Sequence, residues 1–593
     1  MCGICGEVRF DGATPGQAMI DRMLRVLVPR GPDFGDSFSD GAVAFGHRRL
    51  AIIDLSARAN QPMRDPHTGC VLVFNGTIYN YRELRSELIR LGHSFSSDGD
   101  SEVILKVYAE WGEGGIARLH GMFAFVIWDP NMRRVLMARD RMGIKPLYYS
   151  RDRKRLRFAS NPQALLAGGE VDSSIDPVAL HHQLTLHAVV PAPRTILAGV
   201  RKLEPGHYLV IEADGKTRKQ RYWQLNAQRP DRALSSQDWI DATHEALLRS
   251  VERRRLAADV PVGVLLSGGL DSSLIVALLA ESGQQDLHTF SVGFEDQPEE
   301  KGSEFEYSDL VVERYNTQHH KFLVPNEDVL KRLPEAVAHM AEPMVGQDAV
   351  AFYLLAERVS QEVKVVQSGQ GADEVFGGYF WYQRMAAEQG PYLERFRKHY
   401  FDRDHDELLG AIEPRYHGLD YTGGHIDKLL HRDGADTFMD QVLRMDATML
   451  IVDDPVKRVD NMTMAWGLEA RVPFLDHELV ELAMQMPPEL KLREQGKYPL
   501  KVISRGLLPD AVIDRPKGYF PVPALKYVRG EFYEFMREIL NSQACRERGL
   551  FQRAYIEQLL AAPERYMTRI LGSTLWHVAL LEFWLQTNVD SRL

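Results

Sequence analysis

Cysteine is scarce in this chain: four residues in 593, at positions 2, 5, 70 and 545. So few exclude a disulfide scaffold and point to a reducing, cytoplasmic compartment. Nowhere do about 18 consecutive apolar residues occur, so no membrane-spanning helix is expected. The opening MCGICGEVRFDGATPG has no basic stretch followed by an apolar core, and so does not read as a secretory signal. Positive charge is also short: 71 Lys and Arg against 82 Asp and Glu leave a net charge of −11. That balance argues against nucleic acid as a partner. With 45% hydrophobic and 26% charged residues, the composition is that of a soluble globular protein, neither disordered nor collagen-like. At about 150 residues per domain the length sets an upper guide of about four domains, fewer if large α/β units are present.

Residues 1–211 read as short strands joined by turns, with helices between. The apolar run 71–74 ends in Asn75-Gly76, a turn dipeptide. The run 122–128, the turn Asp129-Pro130-Asn131 and the run 135–137 form a hairpin pattern. Leu84, Leu88 and Leu91 recur on one helical face. Residues 212–236 are polar and aperiodic, and are expected to be a linker. From 237 to 593 the texture changes. A buried-strand run, 260–266, enters Ser267-Gly268-Gly269 and then a helical pattern. Further strand-like runs at 287–294 and 363–367 alternate with helical stretches, which predicts a parallel sheet covered by helices. From about Leu393 onward the pattern is mostly helical. There is no internal repeat and no low-complexity segment.

Two places carry chemistry. Removal of Met1 would leave Cys2 with a free α-amine, placing a thiol and a base of pKa about 7.7–8.0 on one residue. Attack on a carboxamide also needs oxyanion donors, and Asn75 with the Gly76 N–H is a plausible pair. Taken alone, a cysteine at position 2 is an ordinary terminal thiol. The spacing Cys2-Gly3-Ile4-Cys5 also fits zinc or redox work, but no second CxxC or HxxxH accompanies it and it does not open a helix after a strand. The second place is Ser267-Gly268-Gly269-Leu270-Asp271-Ser272-Ser273, between a buried strand and a helix. Its glycines and the helix N-terminus favour a phosphate. The loop lacks the lysine of GxxxxGK[ST] and has Asp271 instead, which suits a Mg²⁺ ligand. A tRNA-thiolating enzyme also uses such a loop, but would want a basic face and a relay cysteine, and none lies between 71 and 544. A non-catalytic scaffold has no use for either motif.

In family order occur Met1-Cys2-Gly3-Ile4, Arg30-Gly31-Pro32-Asp33, His47-Arg48-Arg49-Leu50, Phe74-Asn75-Gly76, Gly99-Asp100-Ser101-Glu102 and Lys145-Pro146-Leu147-Tyr148. They resemble the N-terminal-nucleophile glutaminase domain of the asparagine synthetase family. Ser267–Ser273, Phe290–Phe294, Ser368-Gly369-Gln370-Gly371-Ala372-Asp373-Glu374, Val459-Asp460, Leu468–Asp476 and Arg515-Pro516-Lys517-Gly518 resemble its synthetase half. The resemblance spans nearly the whole chain. It implies an α/β multi-domain fold: an αββα sandwich, then a Rossmann-like ATP-pyrophosphatase domain with a helical C-terminal part. It further implies Cys2 as nucleophile, an oxyanion hole from Asn75 and Gly76, and glutamine held by Arg49 and Asp100 as well as Asn75 and Gly76. For ATP it implies Leu266, Ser267, Gly268, Gly269, Asp271, Ser272, Val292, Ser368, Gly369 and Lys517, with Mg²⁺ on Asp271 and Asp373. Glu469, Arg471 and Asp476 would be either functional or structural ion-pair residues. Glutamine and a small carboxylate acceptor are the expected partners, and a homodimer is expected by analogy.

Three departures matter. Thr77 stands where the family usually has the Glu of NGE. Gln370 replaces the Glu of SGEGADE, proposed to take a proton from ammonia, and Gln cannot ionise. Asn461 replaces the Arg of VDRMSMA. Gln370 and Asn461 are therefore candidate acceptor-site residues and point away from aspartate. With residues 341–348 and 459–466 they look most like N-acetylglutaminylglutamine amide synthases, a branch of this family. Asparagine synthesis is the alternative.

Overall fold

The computed structural model describes residues 2–296, 301–515 and 528–592. Two six-stranded, antiparallel sheets form the N-terminal half. The first runs Arg201–Lys202, Tyr148–Arg151, Arg155–Ala159, Gly3–Arg9, Val43–Arg49, Phe34–Asp40. The second runs Thr217–Arg221, His207–Glu212, Arg134–Arg139, Gly121–Asp129, Val71–Ile78, Met63–Arg64. Alternation along each strand builds the layers. Ile4, Val8, Phe45 and Phe158 of the first sheet meet Val71, Val73, Val126 and Met137 of the second in one apolar core. Cys5 points the other way, into a cluster with Met19, Ile20 and Met23 of helix Gln17–Val26. It is fully buried, forms no disulfide, and burial pushes its thiol up. On the outer face of the second sheet, Leu72, Phe74 and Ile78 cluster with Leu84, Leu88, Val103, Ile104 and Val107 from helices Tyr81–Arg90 and Asp100–Trp111. The result is the expected αββα sandwich.

Two expectations need correction here. Asn75-Gly76 is not a turn: both lie within strand Val71–Ile78, opposite Ala124 and Phe123. Glycine is required there because a Cβ would come within 2.1 Å of the Met122 carbonyl oxygen. Nor is 212–236 wholly a linker. Thr217–Arg221 is the edge strand of the second sheet, paired with His207–Glu212. Its side chains are mostly exposed on both faces, so it carries no apolar alternation to read.

The third sheet is parallel, in the order Gln318–Val324, His288–Phe294, Val262–Leu265, Val365–Gln367, Glu469–Arg471. Its direction of winding reverses between Val262–Leu265 and Val365–Gln367. Loops leaving the C-terminal ends of two such neighbouring strands diverge and leave a crevice. Helices Leu270–Glu281 and Asp348–Val359 follow from this sheet, and Thr574–Asn588 contributes to the helical C-terminal part. Buried ion pairs weld this half to the sandwich. Asp460 receives Arg30 at 3.0 Å and Lys145 at 3.2 Å, and Lys202 lies between Glu342 (2.9 Å) and Asp453 (2.5 Å). No helix of the described residues is long and apolar enough to cross a membrane.

Candidate active sites

Cys2 sits at the start of strand Gly3–Arg9, which is flanked on both sides within its sheet, so the thiol is fixed at a rigid strand end. The Cys2 nitrogen, which becomes the α-amine once Met1 is removed, donates to Asn75 Oδ1 at 3.0 Å. Burial raises the Cys2 thiol, with the N-terminal charge and Arg49 opposing it, so the resting group is a protonated thiol. Arg49, Gly76, Thr77 and Asp100 line the same cleft as Cys2. Arg49 is held by the carbonyl oxygens of Ser56 (2.9 Å) and Asp54 and by Asn60 Oδ1 (2.6 Å), leaving its charge unneutralised by any carboxylate among these contacts. Asp100 opens helix Asp100–Trp111 and accepts from the Ile78 N–H at 3.0 Å. Burial pushes its carboxyl up to about 6. A guanidinium and a carboxyl thus border one thiol.

The cleft is completed from the other half of the chain. Glu469, at the start of the last parallel strand, lines it beside Cys2 and accepts from Thr77 Oγ1 at 3.1 Å. Arg471 Nε donates to the same carboxylate at 2.6 Å, and both side chains are fully buried. Burial works against the charge of Glu469, yet the N-terminal ammonium, Arg471 and Lys145 outweigh it and bring the carboxyl down to about 2. Thr77 thus meets a carboxylate delivered from the parallel sheet.

The second site occupies the crevice of the parallel sheet. Gly268 turns the loop at φ 75°, and a Cβ there would lie 2.7 Å from the Ser308 nitrogen. Ser267 and Ser272 hydroxyls meet at 3.1 Å, closing the loop over the helix N-terminus. A cavity of about 260 Å³ is lined by Leu266, Ser267, Gly269, Asp271, Ser272, Val292, Ser368 and Gly369, together with Gln370 and Asp373. Lys497, which the sequence reading did not single out, sits in this cavity with Nζ 2.6 Å from Asp271 and 2.8 Å from Asp373. Two carboxylates from the first turns of separate helices therefore converge on one positive charge, and an all-oxygen pair of this kind fits Mg²⁺. Lys517 lies outside the described residues.

A second cavity of about 360 Å³ adjoins the first and shares Asp348, Gln370 and Asp373 with it. Tyr379, Trp381, Arg458 and Trp576 form part of its wall. Asn461 lines neither cavity: its Oδ1 accepts from the Ala341 N–H at 2.7 Å, so this buried side chain fixes the backbone of the 341–348 stretch. Arg458, one turn earlier on the same helix, reaches the cavity instead, bound to Asp348 at 2.9 Å and to Asp454 at 2.5 Å.

Residues 1–223 match the family described as glutamine amidotransferase domain, and residues 242–586 match asparagine synthase. The chain belongs to the asparagine synthetase family. It is 32% identical to asparagine synthetase [glutamine-hydrolyzing] 1 of Bacillus subtilis, covering 100% of this chain and 98% of that one. It is 34% identical to a putative asparagine synthetase of Mycobacterium tuberculosis, with 91% of each covered. Amidase chry2 of Gibberella zeae is 28% identical over 91% of this chain and 92% of its own. As a member of the asparagine synthetase family the chain is a glutamine-hydrolysing, amide-forming ligase, and ATP is the family's energy source.

Proposed function

We propose that this enzyme amidates an acceptor carboxylate larger than aspartate, with N-acetylglutaminylglutamine the favoured candidate. Glutamine enters the first cleft with its carboxylate on Arg49 and its α-ammonium on Asp100. Cys2 attacks the side-chain carboxamide, the α-amine accepts the thiol proton, and Asn75 with the Gly76 N–H holds the developing oxyanion. Ammonia leaves, and water releases glutamate from the thioester. In the second site the acceptor carboxylate attacks the α-phosphorus of ATP, giving acyl-adenylate and pyrophosphate. Ammonia then displaces AMP from the acyl carbon, forming the amide and releasing a proton. Asp271 and Asp373 would hold Mg²⁺, which when bound with ATP neutralises phosphate charge. Lys497, already between these carboxylates, keeps them converged and can turn to a phosphate oxygen.

The observation that carries the acceptor reading is the second cavity. Its volume is in the range used for drug-sized ligands. Its wall carries Asp348, Asp373, Glu374, Asp446 and Asp454, against Arg458, His187 and His577. Arg458 is already committed to two of the carboxylates. Such a wall suits one reacting carboxylate on an otherwise neutral molecule better than the two carboxylates of aspartate. Asparagine synthesis is the second reading, favoured by the names of the Bacillus and Mycobacterium relatives. Mass spectrometry of products from parallel reactions, with ATP, glutamine and either acceptor, separates the two. Asparagine as the dominant product would refute the larger acceptor.

A further inference from the structure

One wall of the acceptor cavity carries side chains that no step above uses. His187 follows helix Pro177–Thr185, His577 lies in helix Thr574–Asn588, and both line this cavity but not the nucleotide cavity. Behind them stands Asp402, its carboxyl group fully enclosed. One oxygen lies 3.6 Å from His187 Nδ1 and the other 3.3 Å from His577 Nδ1. The two rings meet edge to face, with centroids 4.9 Å apart. The Asp402 N–H donates to the Thr185 carbonyl at 2.9 Å, which anchors the carboxylate to the helix preceding His187.

A buried carboxylate facing both Nδ1 atoms draws a proton to that side of each ring and leaves Nε2 for other partners. The surroundings keep the His577 nitrogen accessible. Gly572 lines the cavity, and a Cβ there would lie only 2.8 Å from His577 Nε2. The backbone is strained at the same wall: His187 (φ 52°) and Leu571 (φ 68°) both adopt left-handed conformations, and neither is glycine. Such conformations persist where the surrounding structure enforces them, often at ligand sites. The two imidazoles also differ in charge. Burial opposes protonation of His187, but the Asp402 carboxylate facing it outweighs burial and raises the group. Burial holds His577 down to about 4. One enclosed carboxylate shared by two imidazoles is balanced by one extra proton, so one ring presents Nε2–H as a donor and the other a bare Nε2 as an acceptor; the raised group is His187 and the lowered one His577.

We infer that His187 and His577, oriented by Asp402 and kept open by Gly572, bind a carboxamide group of the acceptor, away from its reacting carboxylate. His187 donates to the amide carbonyl oxygen and His577 accepts from the amide N–H. A carboxylate in the same place presents two acceptors and no donor, leaving His577 Nε2 without a hydrogen, so the site selects amide over acid. The inference rests on the larger-acceptor reading above.

The test uses the full chain with ATP and ammonium, varying an N-acetylated glutaminylglutamine or its glutamylglutamate counterpart. Wild-type enzyme should prefer the amide dipeptide by about 100-fold in kcat/KM. Gly572→Ala and His577→Ala should each raise its KM by about tenfold or more and shrink that preference. ATP KM and glutamine hydrolysis should stay at wild-type values, which also shows that the variants fold. Asp402→Asn, acting through the rings, should raise acceptor KM more than it lowers kcat. Wild-type use of the dipeptide with unchanged KM in Gly572→Ala and His577→Ala would overturn the site alone. Wild-type amidation of aspartate but not of the dipeptide would overturn the acceptor reading on which it rests. A stoichiometric transition metal in purified enzyme, lost in Asp402→Asn, would also overturn it, because the ion would occupy both Nδ1 atoms.

Discussion

Replacing Glu469 by Gln tests whether the two halves are joined through the glutamine cleft. The substitution preserves shape but leaves the Arg471 guanidinium, fully buried, without its carboxylate at 2.6 Å. The magnitude follows from linkage. Lowering a carboxyl from 4.5 to about 2 corresponds to about 3 kcal/mol of stability, supplied by the N-terminal charge, Arg471 and Lys145 together. Neither partner is exposed, so screening by solvent does not reduce the figure, and removing one member of a buried pair costs about 3–5 kcal/mol. Because the folded value is the lower one, this stability is present above pH 4.5 and is lost as pH falls through about 2. Glu469→Gln should therefore unfold about 2–4 °C lower than wild type at pH 7, and the difference should shrink as pH drops below 4.5. Scanning calorimetry at stepped pH reads both. Glutamine KM should rise as well, since the carboxylate borders Cys2 and Thr77. A variant with wild-type melting temperature at pH 7, or with a deficit that does not shrink in acid, would refute this account of the pair.

Cys2→Ala should lower glutamine-dependent amide formation by about 1,000-fold or more while ammonia-dependent formation survives; retained glutamine hydrolysis would remove Cys2 from its role. Asp271→Asn and Asp373→Asn should do the reverse, lowering acceptor-dependent pyrophosphate release by about 100-fold with glutamine hydrolysis intact, as a pyrophosphate assay would record. Burial raises Asp100 to about 6, so kcat/KM for glutamine should fall as pH drops through that value and the group loses its charge. A pH profile of Asp100→Asn should lack this acidic limb. Gln370→Glu would place another charge beside Asp373, where one repulsion at 4 Å and a dielectric near 20 is worth about 4 kcal/mol before Mg²⁺ and Lys497 offset it. Kinetics should show impaired turnover with the native acceptor and no efficient asparagine synthesis.

What could be read from sequence was what local pattern controls. The buried run before Ser267 and its glycines announce the strand, loop and helix found there because all three are encoded within a dozen or so residues. Cys2 stood out only through its place among six ordered motifs, because a terminal thiol alone is ordinary. Asn75-Gly76 misled, since the dipeptide that favours a turn also permits the close approach of strand 71–78 to Met122. Thr217–Arg221 was invisible because an edge strand wet on both faces has no apolar period. Asn461 was read by its place in a motif, but its side chain serves the Ala341 backbone. Lys497 could have been suspected from its setting beside Gly496, ahead of Tyr498-Pro499. Nothing local links His187 to Asp402 and His577, which only the folded chain brings together.

The central claim is that glutamine nitrogen is transferred within one chain to an ATP-activated carboxylate. The most direct measurement uses glutamine labelled with ¹⁵N in the side-chain amide, with ATP and the N-acetylated dipeptide, following label in the product alongside AMP, ADP, phosphate and pyrophosphate. We expect one labelled amide per AMP and per pyrophosphate, with no ADP, and loss of label transfer but not of pyrophosphate formation when Cys2→Ala enzyme is supplied with unlabelled ammonium. Labelled ammonia accumulating without amide product, or amide formed together with ADP and phosphate, would contradict the account.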